Sequence, residues 1–253
     1  MKLSIQLYTV RDLTAKDFPG TMKKLAGIGY RAVELAGYGN LKTAQEAKAA
    51  LDEAGLKVSG AHAPIDQLET KLDQILAEAT ELGHTNIICP WMPEERRKTA
   101  EDWKKAAKSL EKIGYECHQK GFQLCYHNHS FEFQKFEGKR GFDILFENCD
   151  ANMVKCELDV YWVQHGGEDP VKLINRMGER IHLMHLKDMA KGPEKKFAPV
   201  GTGIIDFKGI LEAGTKAQTQ WGCVEQDNSY GADPLEAVKT SFENLTKLGL
   251  SAS

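Results

Sequence analysis

The sequence predicts a single (β/α)8 barrel spanning residues 1–253. Three observations carry that reading. The length, 253 residues, is the usual size of one such barrel. Short apolar runs alternate with longer amphipathic ones, the pattern of βα units that build a parallel sheet. The apolar runs also number eight: LSIQLY (3–8), RAVELA (31–36), KVSGAHA (57–63), TNIICP (85–90), FQLCYHN (122–128), MVKCEL (153–158), IHLMHL (181–186) and GCVEQ (222–226).

The segments between them read as helices with stop signals. Residues 18–28 end at Gly29, 43–54 at Gly55, 68–82 at Gly83 and 101–120 at Gly121. Glycine just past a helix is the expected stop, because that position needs a positive φ. Asp169–Pro170 and Asp233–Pro234 each place a capping carboxylate before a proline at the first helical position. No linker, low-complexity tract or repeat interrupts the series, so one domain is expected.

Composition narrows the function classes. Net charge is −3, with acidic and basic residues interspersed. A nucleic-acid binder would need a basic patch, so no nucleic-acid partner is expected. No run approaches the roughly 20 apolar residues of a membrane span, so no membrane partner is expected. The six cysteines (Cys89, Cys117, Cys125, Cys149, Cys156 and Cys223) form no CxxC pair, and several sit in apolar strand segments. They read as buried thiols in a reducing cytoplasm. MKLSIQLYTVRD at the start is too short an apolar run for a signal peptide and reads as a first strand. The expected location is cytoplasmic, with a removed signal segment left open.

The chemistry gathers at the ends of the last four strands. Alternate residues of a barrel strand face the interior, and the last inward one reaches the catalytic mouth. His127, Asp159, His185 and Glu225 occupy that point on strands five to eight. Buried strand carboxylates are costly unless paired or metal-bound. Converging Asp, Glu and His side chains therefore read as a divalent-metal site. A lone histidine in an apolar strand is more often a satisfied core residue, and a lone aspartate after a strand is often a cap. Repetition on successive strands favours ligation.

YHNHSFEF is the densest polar cluster. His129 shares the parity of His127, and Glu132 lies just beyond. His127 or Glu132 is expected to supply the fourth ligand, with Glu132 and His129 as candidate proton carriers. Glu225 is read as ligand, proton-transfer group or both. Lys187 either neutralises an oxyanion or pairs with Glu157 or Asp159. His182 has the opposite parity to His185 and is expected to face the helices. Gln6, Glu34 and His62 on strands one to three, Trp91 after strand four, and Trp162 are taken as substrate-binding.

Over nearly its whole length the chain resembles the sugar phosphate isomerase/epimerase family of xylose isomerase-like TIM barrels. The stretches that carry the resemblance are SIQLYTVRD, GYRAVELAG, YHNHSFEF, ELDVYWVQHGGEDPVKL, RIHLMHLKDM, VGTGIIDF and VEQDNSYGADPLEAVKTSFENL. In the family's ketose epimerases one divalent cation is held by Glu, Asp, His and Glu from strands five to eight. The two glutamates are understood to exchange protons across the substrate plane. Asp159, His185 and Glu225 match the last three ligands, but His127 stands where the first glutamate is expected. That departure looks more like the keto-inositol dehydratases and related enzymes acting on keto-sugars. The superfamily's endonuclease IV enzymes need further His and Asp ligands. Trp162 stands where a second histidine should follow Asp159, and no Asp-x-His pair follows His185.

The expected function is a metal-dependent isomerase or epimerase acting on a small keto-sugar or polyol through an enediolate. Oxygen-rich ligation with one or two imidazoles suits Mn2+ first, with Mg2+, Co2+ or Zn2+ as alternatives. A lyase or dehydratase on a keto-inositol or 3-keto-sugar, using the same metal site, is the alternative. A non-catalytic sugar-binding barrel ranks third. The partner is a small sugar or polyol, and a homodimer or homotetramer is the expected assembly.

Overall fold

Each strand of the computed structural model, which describes residues 1–251, lies parallel to its neighbours in sequence, and the eighth closes on the first. The strands are β1 (Lys2–Gln6), β2 (Ala32–Leu35), β3 (Lys57–His62), β4 (Asn86–Cys89), β5 (Gln123–His127), β6 (Val154–Asp159), β7 (Ile181–Leu186) and β8 (Trp221–Val224). Registers such as Ile5↔Val33, Tyr126↔Cys156 and Asp159↔His185 align the strand ends at one mouth.

The covering helices start and stop where local chemistry directs. They include α1 (Phe18–Ile28), α2 (Ala44–Ala54), α3 (Leu72–Leu82), α4 (Ala100–Gln119), α5 (Gly141–Glu147), α6 (Val160–His165), α7 (Pro170–Met177), α8 (Phe207–Lys216) and α9 (Pro234–Lys247). Thr43 and Thr99 open α2 and α4 with capping boxes, closed by Glu46 and Asp102. Asp169 and Asp233 cap α7 and α9, as their Asp-Pro dipeptides predict. Gly55 and Gly83 end α2 and α3 in the left-handed conformation. The segment 68–82, expected as one helix, is two. It breaks at Lys71, whose φ of −137° is not helical, so that both Leu68 and Leu72 are buried.

Two strands carry an extra residue. On β7 the pairing passes from Cys156↔Ile181 to Glu157↔Leu183, which leaves His182 as the extra residue. This bulge breaks the alternation and corrects the expectation that His182 faces the helices. Its Nε2 instead reaches Asn86 Oδ1 at 3.1 Å. Because β4 and β7 are not neighbours, that bond crosses the barrel floor. On β3 the extra residue is Ser59, whose hydroxyl meets Ser4 Oγ at 2.7 Å.

Above this floor Ile88, Cys125 and Leu183 pack together, apart from the main core between strands and helices. The alternation resumes from there, so the next inward residues on β5 and β7 are His127 and His185. All six cysteines are free and buried, as expected. Among the described residues no helix is long and apolar enough to cross a membrane.

Candidate active site

His127, Asp159, His185 and Glu225 each bring one ligand atom to a common point, with all four atoms within 4.8 Å of one another. Local structure fixes each of them. Asp159 closes β6 and also caps α6, its Oδ1 accepting from the Trp162 backbone N–H at 2.9 Å. Asp159 therefore caps α6 and also stands in the four-residue cluster. Asn128 Oδ1 accepts from the Asp159 backbone N–H at 3.1 Å and ties the ends of β5 and β6 together.

The hydrogen-bonding state of this cluster is incomplete. His127 Nδ1 lies 3.0 Å from the Pro90 carbonyl, a contact that requires Nδ1 to donate. Nε2 then carries a lone pair, and it faces Asp159 Oδ2 at 3.4 Å. Both atoms are buried without a hydrogen-bond partner. Two facing acceptors with no proton between them suit a cation. Burial, with the His185 charge beside it, pushes His127 down to about 4, so its ring stays neutral at ordinary pH. Burial works against the Asp159 charge, yet the Lys187 ammonium pulls its carboxyl down to about 2.

His185 is held from below. Its Nε2 lies 2.7 Å from Glu34 Oε1, and Gln6 Nε2 donates to the same oxygen at 2.8 Å. Its Nδ1 lies 2.8 Å from Glu225 Oε2. Burial works against a charge on the ring, but the Glu157, Glu225 and Glu34 carboxylates raise it well above the ordinary range, so both nitrogens donate, Nε2 to Glu34 and Nδ1 to Glu225. A cation would take the place of the Nδ1 proton while Glu34 keeps the one on Nε2. His62 completes this deeper layer, with Nε2 3.1 Å from Glu157 Oε2 and 3.1 Å from Glu34 Oε1. Burial lifts the Glu157 carboxyl to about 7, and the Glu34 charge adds to that.

Lys187 is 1% exposed and surrounded by carboxylates. Its Nζ lies 2.8 Å from Glu225 Oε2, 2.8 Å from Asp227 Oδ1 and 3.1 Å from Asp159 Oδ2. Of its two expected partners it meets Asp159; Glu157 belongs to His62. Burial raises the Asp227 carboxyl to about 6, helped by the Glu225 charge. Sequence reasoning missed Asp227, although it shares the parity of Glu225.

A cavity of about 600 Å³ opens above these groups. Of the sequence-predicted residues, His62, Trp91, His127, His129, Lys187 and Glu225 line it. His129 stacks on Phe131, its ring centroid 5.3 Å away, and burial pushes the imidazole down to about 3. Neither of its ring nitrogens has a hydrogen-bond partner among the described residues. Four of the expected site residues stand elsewhere. Gln6 and Glu34 are not at the cavity wall, because their carbonyl and carboxylate oxygens are spent on the Tyr8 backbone N–H, His185 and each other's layer. Trp162 also lies behind the wall, with its ring 5.6 Å from that of His129. Glu132 lies outside the four-residue cluster. Its two oxygens accept from Tyr126 Oη and the His129 backbone N–H, both at 2.7 Å, so it braces the loop that carries His129.

Residues 22–248 match the family model of the xylose isomerase-like TIM barrel. The chain is 34% identical over 100 residues to an inosose dehydratase of Geobacillus kaustophilus, covering 38% of this chain and 32% of that enzyme. It is 29% identical over 182 residues to an inosose dehydratase of Clostridium tetani, covering 63% and 60%. The matches thus span between a third and three fifths of those relatives' length. A sugar phosphate isomerase/epimerase from Parabacteroides distasonis superposes with a TM-score of 0.81 at 25% identity, covering 96% of this chain and 93% of that one.

Proposed function

Because the chain belongs to the xylose isomerase-like TIM barrel family, we propose that it removes the proton α to the carbonyl of a small polyhydroxy ketone, with a divalent cation, Mn2+ first, held by His127, Asp159, His185 and Glu225. The observation that carries this reading is the facing pair of unprotonated acceptors, His127 Nε2 and Asp159 Oδ2, at the rim of a cavity. The bound cation would supply charge that stabilises the enediolate of the chelated substrate.

The chain's own groups do the proton chemistry. His129 stands at the cavity wall with its Nδ1 unpartnered, which places it to accept the α-proton; burial weakens it as a base, and the nearby Asp159 and Glu225 charges support the imidazolium as it forms. Lys187, between Glu225 and Asp227, presents an ammonium to the oxygen on which negative charge develops. Asp227, with a carboxyl near 6, can return a proton at neutral pH.

The enediolate has two outcomes: reprotonation gives an isomer or epimer, and loss of a β-hydroxyl gives a dehydrated enone. A specific observation favours dehydration. Strand five presents His127 where a paired-glutamate epimerase needs a carboxylate, so the carboxylates that line the cavity are Glu225 and Asp227, both after strand eight. A base opposite an ammonium and a protonatable carboxyl suits elimination. The likeness to inosose dehydratases supports the same choice. The test is product analysis of the Mn2+-loaded protein with inosose and with open-chain ketoses. A product lighter by one water from inosose fits dehydration, an isomerised ketose fits the first outcome, and inertness toward both classes would contradict the proposal.

A further inference from the structure

The cavity is divided in two by chemistry. The half formed by β5–β8 and their loops holds His127, His129, Lys187, Glu225 and Asp227. The half formed by β1–β4 holds Tyr8, Pro64, Gln67 and Trp91, and His62 is its one titratable side chain besides the Tyr8 phenol. Tyr8 is 44% exposed and Trp91 45% exposed, although both stand at the wall of a cleft. Large apolar rings left open beside a polar cleft are a binding feature, since burial against the fold would otherwise recover their area.

Pro64 and Trp91 also form the wall of a second cavity of about 320 Å³, which Ile65, Asp66, Glu94 and Glu95 help to line. The two cavities thus meet at the Trp91 indole. Among the described residues lining them, Lys187 is the one lysine or arginine, and three carboxylates already surround it. The arginines beside these spaces are engaged, Arg11 with the Tyr8 and Asp227 carbonyls and Arg96 with Glu69 and, at 4.0 Å, Asp66, whereas Glu94 and Glu95 offer acceptors to hydroxyl groups.

We propose that the outer cavity is a second subsite, which binds a neutral sugar ring joined to the reacting ketone and stacked on Trp91. The ring's C–H face would cover the indole, and its hydroxyls would donate to the acidic rim. The preferred substrate is then a neutral glycoside-type molecule of at least two rings, not a sugar phosphate, and a single-ring ketone such as inosose fills the inner site alone. This inference rests on the keto-sugar reading of the inner site.

The test is binding, read without turnover. Affinities of the Mn2+-loaded protein are measured by calorimetry for glucose, glucose 6-phosphate and four glucobioses (sophorose, laminaribiose, cellobiose and maltose). At least one glucobiose is expected to bind about tenfold or more tightly than glucose, and glucose 6-phosphate no more tightly. Trp91→Ala should erase the gain from the second ring, and Trp91→Phe should keep most of it. The proposal is overturned if no glucobiose exceeds glucose, if none of the sugars binds, if the phosphate binds more tightly, or if the gain survives Trp91→Ala. Proton exchange on inosose does not involve the outer cavity, so a failure of the inner-site reading appears there and not in this affinity gap.

Discussion

His127 Nε2 and Asp159 Oδ2 face each other at 3.4 Å, and neither has a hydrogen-bond partner. Leaving two such acceptors buried is expensive, costing about 1–3 kcal/mol each. Lys187 lies 3.1 Å from the same aspartate oxygen but is not aligned to donate to it. A cation between the pair would satisfy both at once, and the first prediction follows from that.

Asp159→Ala should weaken Mn2+ binding at least about tenfold, a loss of roughly 1.4 kcal/mol. Calorimetric titration of the stripped protein measures it. Because the substitution also removes the cap of α6, circular dichroism should accompany the titration. Unchanged affinity in a folded variant would remove Asp159 from the ligand set.

Glu34 acts through His185. Its Oε1 holds the Nε2 proton of the ring at 2.7 Å and so directs Nδ1 toward Glu225 and Asp159. Glu34→Ala should lower metal affinity about 10–100-fold, the usual cost of losing such a partner. Glu34→Gln keeps an acceptor and should recover part of the loss. A variant that binds metal like the parent would show that the tautomer is fixed by something else.

Much of this was legible before the structure. The eight strands came from apolar runs, and the four converging residues came from parity, because a strand's alternation carries through to its end. Where alternation fails, the reading failed with it. The bulge on β7 turned His182 into the barrel, and nothing in RIHLMHL marks it. Gln6 and Glu34 share the inward parity of the site residues but lie one layer too deep. Depth depends on strand stagger, which the sequence of one strand does not contain. Glu132 belonged to the right cluster of letters, yet the 3-10 turn over Phe131–Phe133 carries its side chain back under Tyr126. Asp227 was missed although it continues the parity of Glu225.

Asn86 organises the barrel floor. Its Nδ2 donates to Ser59 O at 2.8 Å and to Gln220 Oε1 at 2.9 Å, while its Oδ1 meets His182 Nε2 at 3.1 Å. Asn86→Ala strands several buried polar groups and should cost about 3 kcal/mol. For a chain of this size that corresponds to a fall in Tm of roughly 6–12 °C. Thermal unfolding checks it, and a fall below about 2 °C would mean the floor repacks or admits water.

His84 should make stability depend on acid. Burial pushes its imidazole down to about 4, against about 6.5 in an unfolded chain. Above pH ~6.5 both states are neutral there and the contribution is complete. As the pH falls from ~6.5 toward 4, the unfolded chain takes up a proton that the folded chain refuses, and stability is lost. The loss from this group is of the order of 2–3 kcal/mol. Denaturant titrations of the protein and of His84→Gln across that window should differ in slope, the variant being flatter. Parallel slopes would mean that His84 titrates normally in the fold.

The central claim is that this barrel removes an α-proton with a cation held by His127, Asp159, His185 and Glu225. The most direct measurement is NMR of inosose in D2O with the stripped protein, the Mn2+-reloaded protein and reloaded His129→Asn. The reloaded protein should place deuterium α to the carbonyl, in product or recovered substrate. The stripped protein should not, and His129→Asn should be slower by about 100-fold or more. Exchange at equal rates with and without the cation, or inosose consumed by the reloaded protein with every α-proton retained, would contradict the account.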